Sequence, residues 1–85
     1  MRLFRTERFK KLYRKLSEST KKKLARQLSY LLQDIRHHSL QAKKMVNRPD
    51  IYEARVDIHN RFTFKVAGDR ITLRVVGPHD VLRNP

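Results

Sequence analysis

The chain of 85 residues contains no cysteine, and only 8 Asp and Glu stand against 21 Lys and Arg. Without cysteine there is no disulfide framework and no zinc ribbon, and a reducing cytoplasm suits such a chain. The opening, MRLFRTERFKK, lacks even a seven-residue apolar run. No stretch approaches the roughly 20 apolar residues that a membrane span needs. The expectation is a soluble, cytoplasmic protein that is not exported and has no membrane partner. Repeats and low-complexity segments are missing as well. The length predicts one domain, spanning 1–85, which buries roughly 60–65% of its unfolded surface.

What the chain does have is positive charge, +13 in all, with 12 Lys and Arg and 3 acids within residues 1–36. Such a surplus repels itself and attracts polyanions. Nucleic acid is the first candidate partner, an acidic protein the second and an anionic membrane a distant third. The plain alternative is a solvated basic surface.

Leu3 and Phe4 suit a short first strand ending at Thr6, a helix N-cap with Glu7 in the first turn. Phe9, Leu12, Tyr13 and Leu16 recur at i, i+3, i+4, i+7, the spacing of an amphipathic helix. Ser17 ends that helix and caps a second, marked by Leu24, Leu28, Leu31, Leu32 and Ile35 and ending at Arg36, His37 and His38. The short Ser17–Ser19 connection predicts an antiparallel helical hairpin. Lys21, Lys22 and Lys23 lie where the helix dipole disfavours cations; a polyanionic partner is one account of them, surface chance the other. Adjacent histidines on a helix point about 100° apart, and no third ligand is near, so no metal or cofactor is expected.

Leu40 to Val46 reads as a strand carrying Lys43 and Lys44, and residues 47–50 as a turn. From Ile51 to Asp80 the alternation of three strands dominates. Tyr52, Ala54, Val56 and Ile58 share one face, as do Phe62, Phe64 and Val66, and then Ile71, Leu73 and Val75. The other face carries Glu53, Arg55 and Asp57, then Arg61, Thr63 and Lys65, then Arg70, Thr72 and Arg74. His59–Asn60 and Ala67–Asp69 reverse the chain, with Gly68 at positive φ. The fold class is therefore α+β: an N-terminal two-helix hairpin packed on one face of a twisted antiparallel sheet of about four strands. The charged face stays open to solvent, with His79 at its rim and a loosely held tail from Val81 to Pro85. A cationic face holding one carboxylate, Glu53, suits a phosphodiester.

FKKLYRKL, the leucine-spaced second helix, DIRHHSLQAKKM, DIYEARVD, RFTFKV and DRITLRVVGPHDVL together resemble the RelE/ParE superfamily of toxins from type II toxin–antitoxin systems. The resemblance runs from about Phe9 to Leu82 and is nearest to the RelE/YoeB/YafQ branch of mRNA interferases. It implies two helices on a sheet like that of small microbial ribonucleases, cleavage of mRNA in the ribosomal A site, and neutralisation by a cognate acidic antitoxin. The free toxin is expected to be a monomer that forms a hetero-oligomer with the antitoxin. By the same resemblance, Arg61 matches the arginine that holds the scissile phosphate, and Arg55 matches a catalytic lysine on the preceding strand. Glu53 stands where RelE has a second functional lysine. His79 matches the C-terminal histidine used in acid–base chemistry by YoeB and YafQ. The chain departs from the pattern in having Asn60 where an aromatic residue commonly precedes the arginine, and in having no tyrosine after His79.

The chemistry is coherent by itself. RNA can be cut by its own 2′-hydroxyl, given a base, cations for the phosphate and an acid for the leaving oxygen. Arg55 and Arg61 on adjacent strands suit phosphate, which Arg can hold bidentately. Histidine changes charge near neutrality, which makes His79 the candidate acid and leaves Glu53 as the candidate base. Lys43, Lys44, Lys65 and Arg74 are candidate electrostatic contacts to RNA. Each has a plainer counterpart. Glu53 is equally readable as a cross-strand ion-pair partner of Arg61 or Arg74, Arg55 and Arg61 as solvated face residues, and His79 as a turn residue. Tyr52, Phe62 and Phe64 read as core and not as a base-stacking platform. Two other functions share this pattern: a non-catalytic ParE-type toxin that binds DNA gyrase, and a non-toxic RNA-binding relative.

Overall fold

A computed structural model describes residues 1–85, with two helices on a five-stranded mixed sheet. The helices begin where the capping residues put them. The Thr6 hydroxyl accepts the Phe9 N–H at 3.0 Å and starts α1 (Glu7–Arg14); the Ser17 hydroxyl accepts the Thr20 N–H at 3.2 Å and starts α2 (Glu18–Gln33). Each cap satisfies a backbone donor that the first turn leaves free. The second helix stops earlier than the leucine spacing predicts. Asp34 leaves helical geometry, and its carboxylate accepts the Arg36 N–H at 2.8 Å, a side-chain turn that competes with further helix. Ile35 to His38 therefore lie beyond α2, and Leu32 is exposed.

The strands are β1 (Arg2–Arg5), β2 (Lys43–Lys44), β3 (Tyr52–Arg55), β4 (Asn60–Ala67) and β5 (Arg70–Pro78), in the order β1-β5-β4-β3-β2. The sheet expected to be antiparallel with about four strands is thus five-stranded and mixed, because β1 runs parallel to β5. The helical hairpin and three strands between them provide the long connection that parallel pairing needs. The strand expected over Leu40–Val46 shrinks to two residues. Leu40 is fully buried as a core plug, and Gln41 then turns the chain through a left-handed backbone, φ +46°. Ile58, assigned to the core face, is 70% exposed, since β3 ends at Arg55 and residues 56–59 form the reversal.

One bulge sets the two faces of β5. Thr63 pairs with Val75, but Phe64 pairs with Leu73, so Arg74 is the extra residue. A bulge shifts the alternation by one. Ile71 and Leu73 face the helices as expected, but beyond the bulge it is Val76 that joins their cluster, in place of Val75. The core beneath the helices comprises Phe9, Leu24, Leu31, Leu40, Ala54, Val56, Phe62, Phe64, Ile71, Leu73 and Val76. Phe64 stacks on Tyr52 with centroids 5.3 Å apart, which settles these aromatics as packing groups.

The charged face is less open than its composition implies. Residues His79–Arg83 form a 3₁₀ turn that folds back over β5, and Thr63 and Val75 are both fully buried on that side. The Thr63 hydroxyl and Arg74 Nε donate to the Pro85 carbonyl at 3.2 and 3.0 Å. The tail is pinned by these bonds, contrary to expectation. Gly77 permits the fold-back: its φ is +153°, and a Cβ there would lie 2.9 Å from Val81 Cγ1. At the opposite end of β5, Gly68 has the positive φ expected of the reversal, +61°.

Candidate active site

Beyond the 3₁₀ turn, the free face of β3 and β4 opens into a cleft of about 330 Å³ lined by Gln41, Lys43, Glu53, Ala54, Arg55, Arg61 and His79. Arg55, Arg61, Glu53 and His79 thus come together although they are spread over 27 positions of sequence. Register does most of this. Arg55 lies directly opposite Arg61 in the β3–β4 pair, and Glu53 lies opposite Lys43 in the β2–β3 pair. His79 begins the 3₁₀ turn immediately after β5, exposed at the rim.

Each of these groups is held differently. Arg61 is tethered by one end: its Nη1 donates to the carbonyls of Asp57 at 2.7 Å, Asn60 at 3.0 Å and Ile58 at 3.3 Å. The other guanidinium nitrogens make no bond within the protein and remain for an anion. The Asp57 carboxylate builds the turn that accepts Arg61. Burial pushes its pKa up, but the N–H groups of His59 and Asn60, the Asn60 carboxamide and Lys23 outweigh this and hold it below its usual value. The corresponding distances are 2.9, 2.8, 3.1 and 3.4 Å. Arg55 has no ion-pair or hydrogen-bond partner for its side chain. Behind it, the Gln27 carboxamide, buried in α2, donates to the carbonyls of Arg55 at 2.8 Å and Ser39 at 2.9 Å. That pair of bonds joins α2 to the cleft's Arg55 wall and to the segment that leads into Gln41.

Glu53 pairs with Lys43 at 3.8 Å, and with neither Arg61 nor Arg74. The remaining cations disperse. Lys44, opposite Tyr52, belongs to the helix-side phase of β2. Lys65 pairs with Asp50 at 3.5 Å, and Arg74 lines a neighbouring cleft with Glu53. His37 lies outside the cleft's lining; its ring stacks on Tyr30 at 3.9 Å, and its Nδ1 accepts the Ser39 N–H at 3.2 Å.

Three residues that shape this region carry no functional expectation from sequence. Asp57 had a legible signal, since Asp followed by Asn three residues later marks a side-chain-capped turn. Gln27 interrupts the apolar spacing between Leu24 and Leu31, another visible sign. Gln41 has none, because a left-handed backbone is not encoded by glutamine.

Two helices packed on a mixed five-stranded sheet match the RelE-like toxin fold. The YoeB/ParE toxin from Agrobacterium tumefaciens superposes with a TM-score of 0.80 at 14% identity, over 93% of this chain and 99% of that one. The RelB–RelE antitoxin–toxin complex from Methanococcus jannaschii gives 0.75 at 18% identity, over 95% of each chain. The isolated E. coli RelE toxin gives 0.71 at 24% identity, over 89% and 81%. No protein-family model matches the chain, and no curated protein matches it in sequence. At these identities the likeness is one of fold.

Proposed function

We propose that the chain is the toxin of a type II toxin–antitoxin system and cuts messenger RNA on the ribosome without a metal. One observation carries this reading. Arg55 and Arg61 face each other across β3 and β4, neither ion-paired, in the cleft that His79 overlooks. Like charges directly opposite destabilise a sheet. A phosphodiester between them removes that repulsion and gains charge-assisted hydrogen bonds.

In the reaction, Glu53 takes the proton of the 2′-hydroxyl as O2′ bonds to phosphorus. Arg61 and Arg55 balance the charge that grows on the phosphate oxygens. The P–O5′ bond breaks, and His79 protonates the departing oxygen. The products are a 2′,3′-cyclic phosphate and a 5′-hydroxyl. Arg61 arrives pre-oriented by its turn, so little side-chain freedom is lost when the anion binds.

The fold likeness to a RelE captured with RelB supports an antitoxin as partner, and the net charge of +13 fits an acidic one. The free toxin is a monomer in this reading, joins a hetero-oligomer with the antitoxin, and works in the cytoplasm. The test is induced expression with mapping of mRNA 5′ ends. Arg61→Ala and His79→Ala should each lower cleavage by roughly 10²-fold or more and relieve growth arrest. Full toxicity in both variants sinks the reading. DNA-damage signalling without mRNA cuts replaces it with a gyrase-directed toxin.

A further inference from the structure

A second, larger cleft adjoins the first and shares Glu53 as a wall. It encloses about 560 Å³ between the 45–48 segment, the start of α1 and the pinned tail, within the range of small-ligand sites. We propose that it is a nucleotide subsite, taking a neighbouring nucleotide of the same RNA strand whose phosphodiester is cut in the first cleft. The inference rests on the endoribonuclease reading for the identity of that strand.

Three features of the lining point to a nucleotide. The first is uncommitted charge. Arg74 is bonded to the Pro85 carbonyl and Arg48 is paired with Asp50 at 3.6 Å, but Arg8 and Arg83 are exposed and make no ion pair or hydrogen bond. Two free guanidinium groups in one cleft repel each other until a phosphate joins them. The second is apolar surface among those charges. Val46 is 96% exposed, and Leu82 lies half-buried nearby. A base face covers such carbons, and a chain of carboxylates does not. The third is a pair of carboxamides, Asn47 and Asn84, which lie in the lining and make no side-chain hydrogen bond in the protein. A carboxamide offers both donors and acceptors, as the edge of an unpaired base requires. A run of carboxylates such as oligoglutamate would answer only the first feature.

Continuity gives the order of the sites. Glu53 belongs to both clefts, so a strand leaving the Arg55–Arg61 pair passes it to reach Arg8 and Arg83.

The experiment uses the full chain and a pentaribonucleotide in which every ribose carries a 2′-O-methyl group, so that binding is read without cleavage. Affinity is measured against salt for the wild type, for the double variant Arg8→Gln/Arg83→Gln, and for Arg14→Gln/Arg26→Gln, which removes the same charge from exposed helical positions outside both clefts. The cleft variant should bind at least tenfold more weakly, and its slope of log K against log salt should fall by about 1.4, or about 0.7 for each phosphate that is no longer neutralised. The helical variant should change less than threefold. Equal losses in the two variants, or no measurable binding by the wild type, overturn the proposal. So does an oligoglutamate that binds as tightly and shows the same loss, which makes the cleft a seat for acidic protein. If the wild type binds in the expected pattern but never cuts translated mRNA, the catalytic reading falls and the subsite stands. If it cuts mRNA while the cleft variant binds normally, the subsite alone falls.

Discussion

The two faces of the sheet are made from the same strands, one residue out of phase. On the helix side, Phe62, Phe64, Ile71 and Leu73 are at most 1% exposed and belong to one apolar cluster. On the free side, Arg61, Arg55 and Glu53 are half-buried and held differently: Arg61 by the carbonyls of a turn, Arg55 by strand register alone, Glu53 by a lysine at 3.8 Å. The helix side needs only apolar volume at the right period, which many sequences supply. The free side needs particular atoms at particular distances, held by turns and by a strand register that a single slip would destroy. Stability therefore concentrates on one face and chemistry on the other, although Arg61 and Phe62 are adjacent in the chain.

That contrast is sharpest at those two neighbours. Phe62→Ala should cost about 3–5 kcal/mol through lost burial and a residual cavity, read as a lowered urea midpoint with an unchanged m-value. Arg61→Ala, one residue earlier, removes only bonds to partly exposed turn carbonyls and should cost about 1 kcal/mol. A result in which Arg61→Ala unfolds the protein as readily as Phe62→Ala would falsify the division, and would recast the loss of cleavage as a loss of fold.

Gln27 is the exception that tests the boundary, a polar group inside the apolar face. Its carboxamide satisfies the Arg55 and Ser39 carbonyls. Gln27→Ala should destabilise by about 1–3 kcal/mol, because two largely buried acceptors lose their donor. Cleavage should weaken further than stability accounts for, since the Arg55 wall and the segment leading into Gln41 are released. Hydrogen exchange that quickens at residues 39–43 and 53–55 before the rest of the sheet would show the coupling; uniform quickening would show a plain core defect.

The legibility of the two faces in the sequence follows the same division. Period-2 alternation located the core side of β3 and β4 and the polar side that bears Arg55 and Arg61. It failed after Arg74, where a bulge exchanges Val75 for Val76; alternation has no way of announcing an extra residue. It also failed at the tail, whose anchoring depends on Thr63 and Arg74 meeting a carbonyl far along the chain. Cap residues placed the helix starts, because capping is local. The parallel partner of β1 stayed hidden, because strand order is a non-local property. The gathering of Arg55, Arg61, Glu53 and His79 was reached through resemblance and alternation together, whereas Asp57 and Gln27, which orient that set, are ordinary polar residues until the fold surrounds them.

Asp57 links the faces through the turn that receives Arg61. Its pKa in the folded chain lies below the reference value of 3.8, so its ionised form is favoured by folding. That contribution is complete above pH 3.8 and disappears as the pH falls through the depressed folded value. Asp57→Asn should therefore be less stable than the wild type at pH 7, by about 1 kcal/mol, and the gap should narrow as the pH falls below 3.8. A gap that stays constant down to acid pH would mean that the carboxylate's charge does not matter to the turn.

Gln41 gives the smallest effect and the most direct test of whether the free face trades stability for function. Its backbone lies at φ +46°, a region costing an L-residue about 1–2 kcal/mol. Its side chain lines the cleft and makes no hydrogen bond in the protein. Strain at such a position persists where the surroundings enforce it, and such positions cluster at binding sites. Gln41→Gly relieves the strain but adds freedom to the unfolded chain, so the net gain should be at most about 1 kcal/mol, a rise in Tm of about 4–8 °C for a domain of this size. If the carboxamide contacts RNA, the same variant should cut several-fold more slowly, and Gln41→Asn, which tolerates this backbone and keeps an amide, should recover part of the rate. A glycine variant that is both more stable and fully active would show that the strained turn only redirects the chain after Leu40, and that the cleft owes nothing to the residue at its edge.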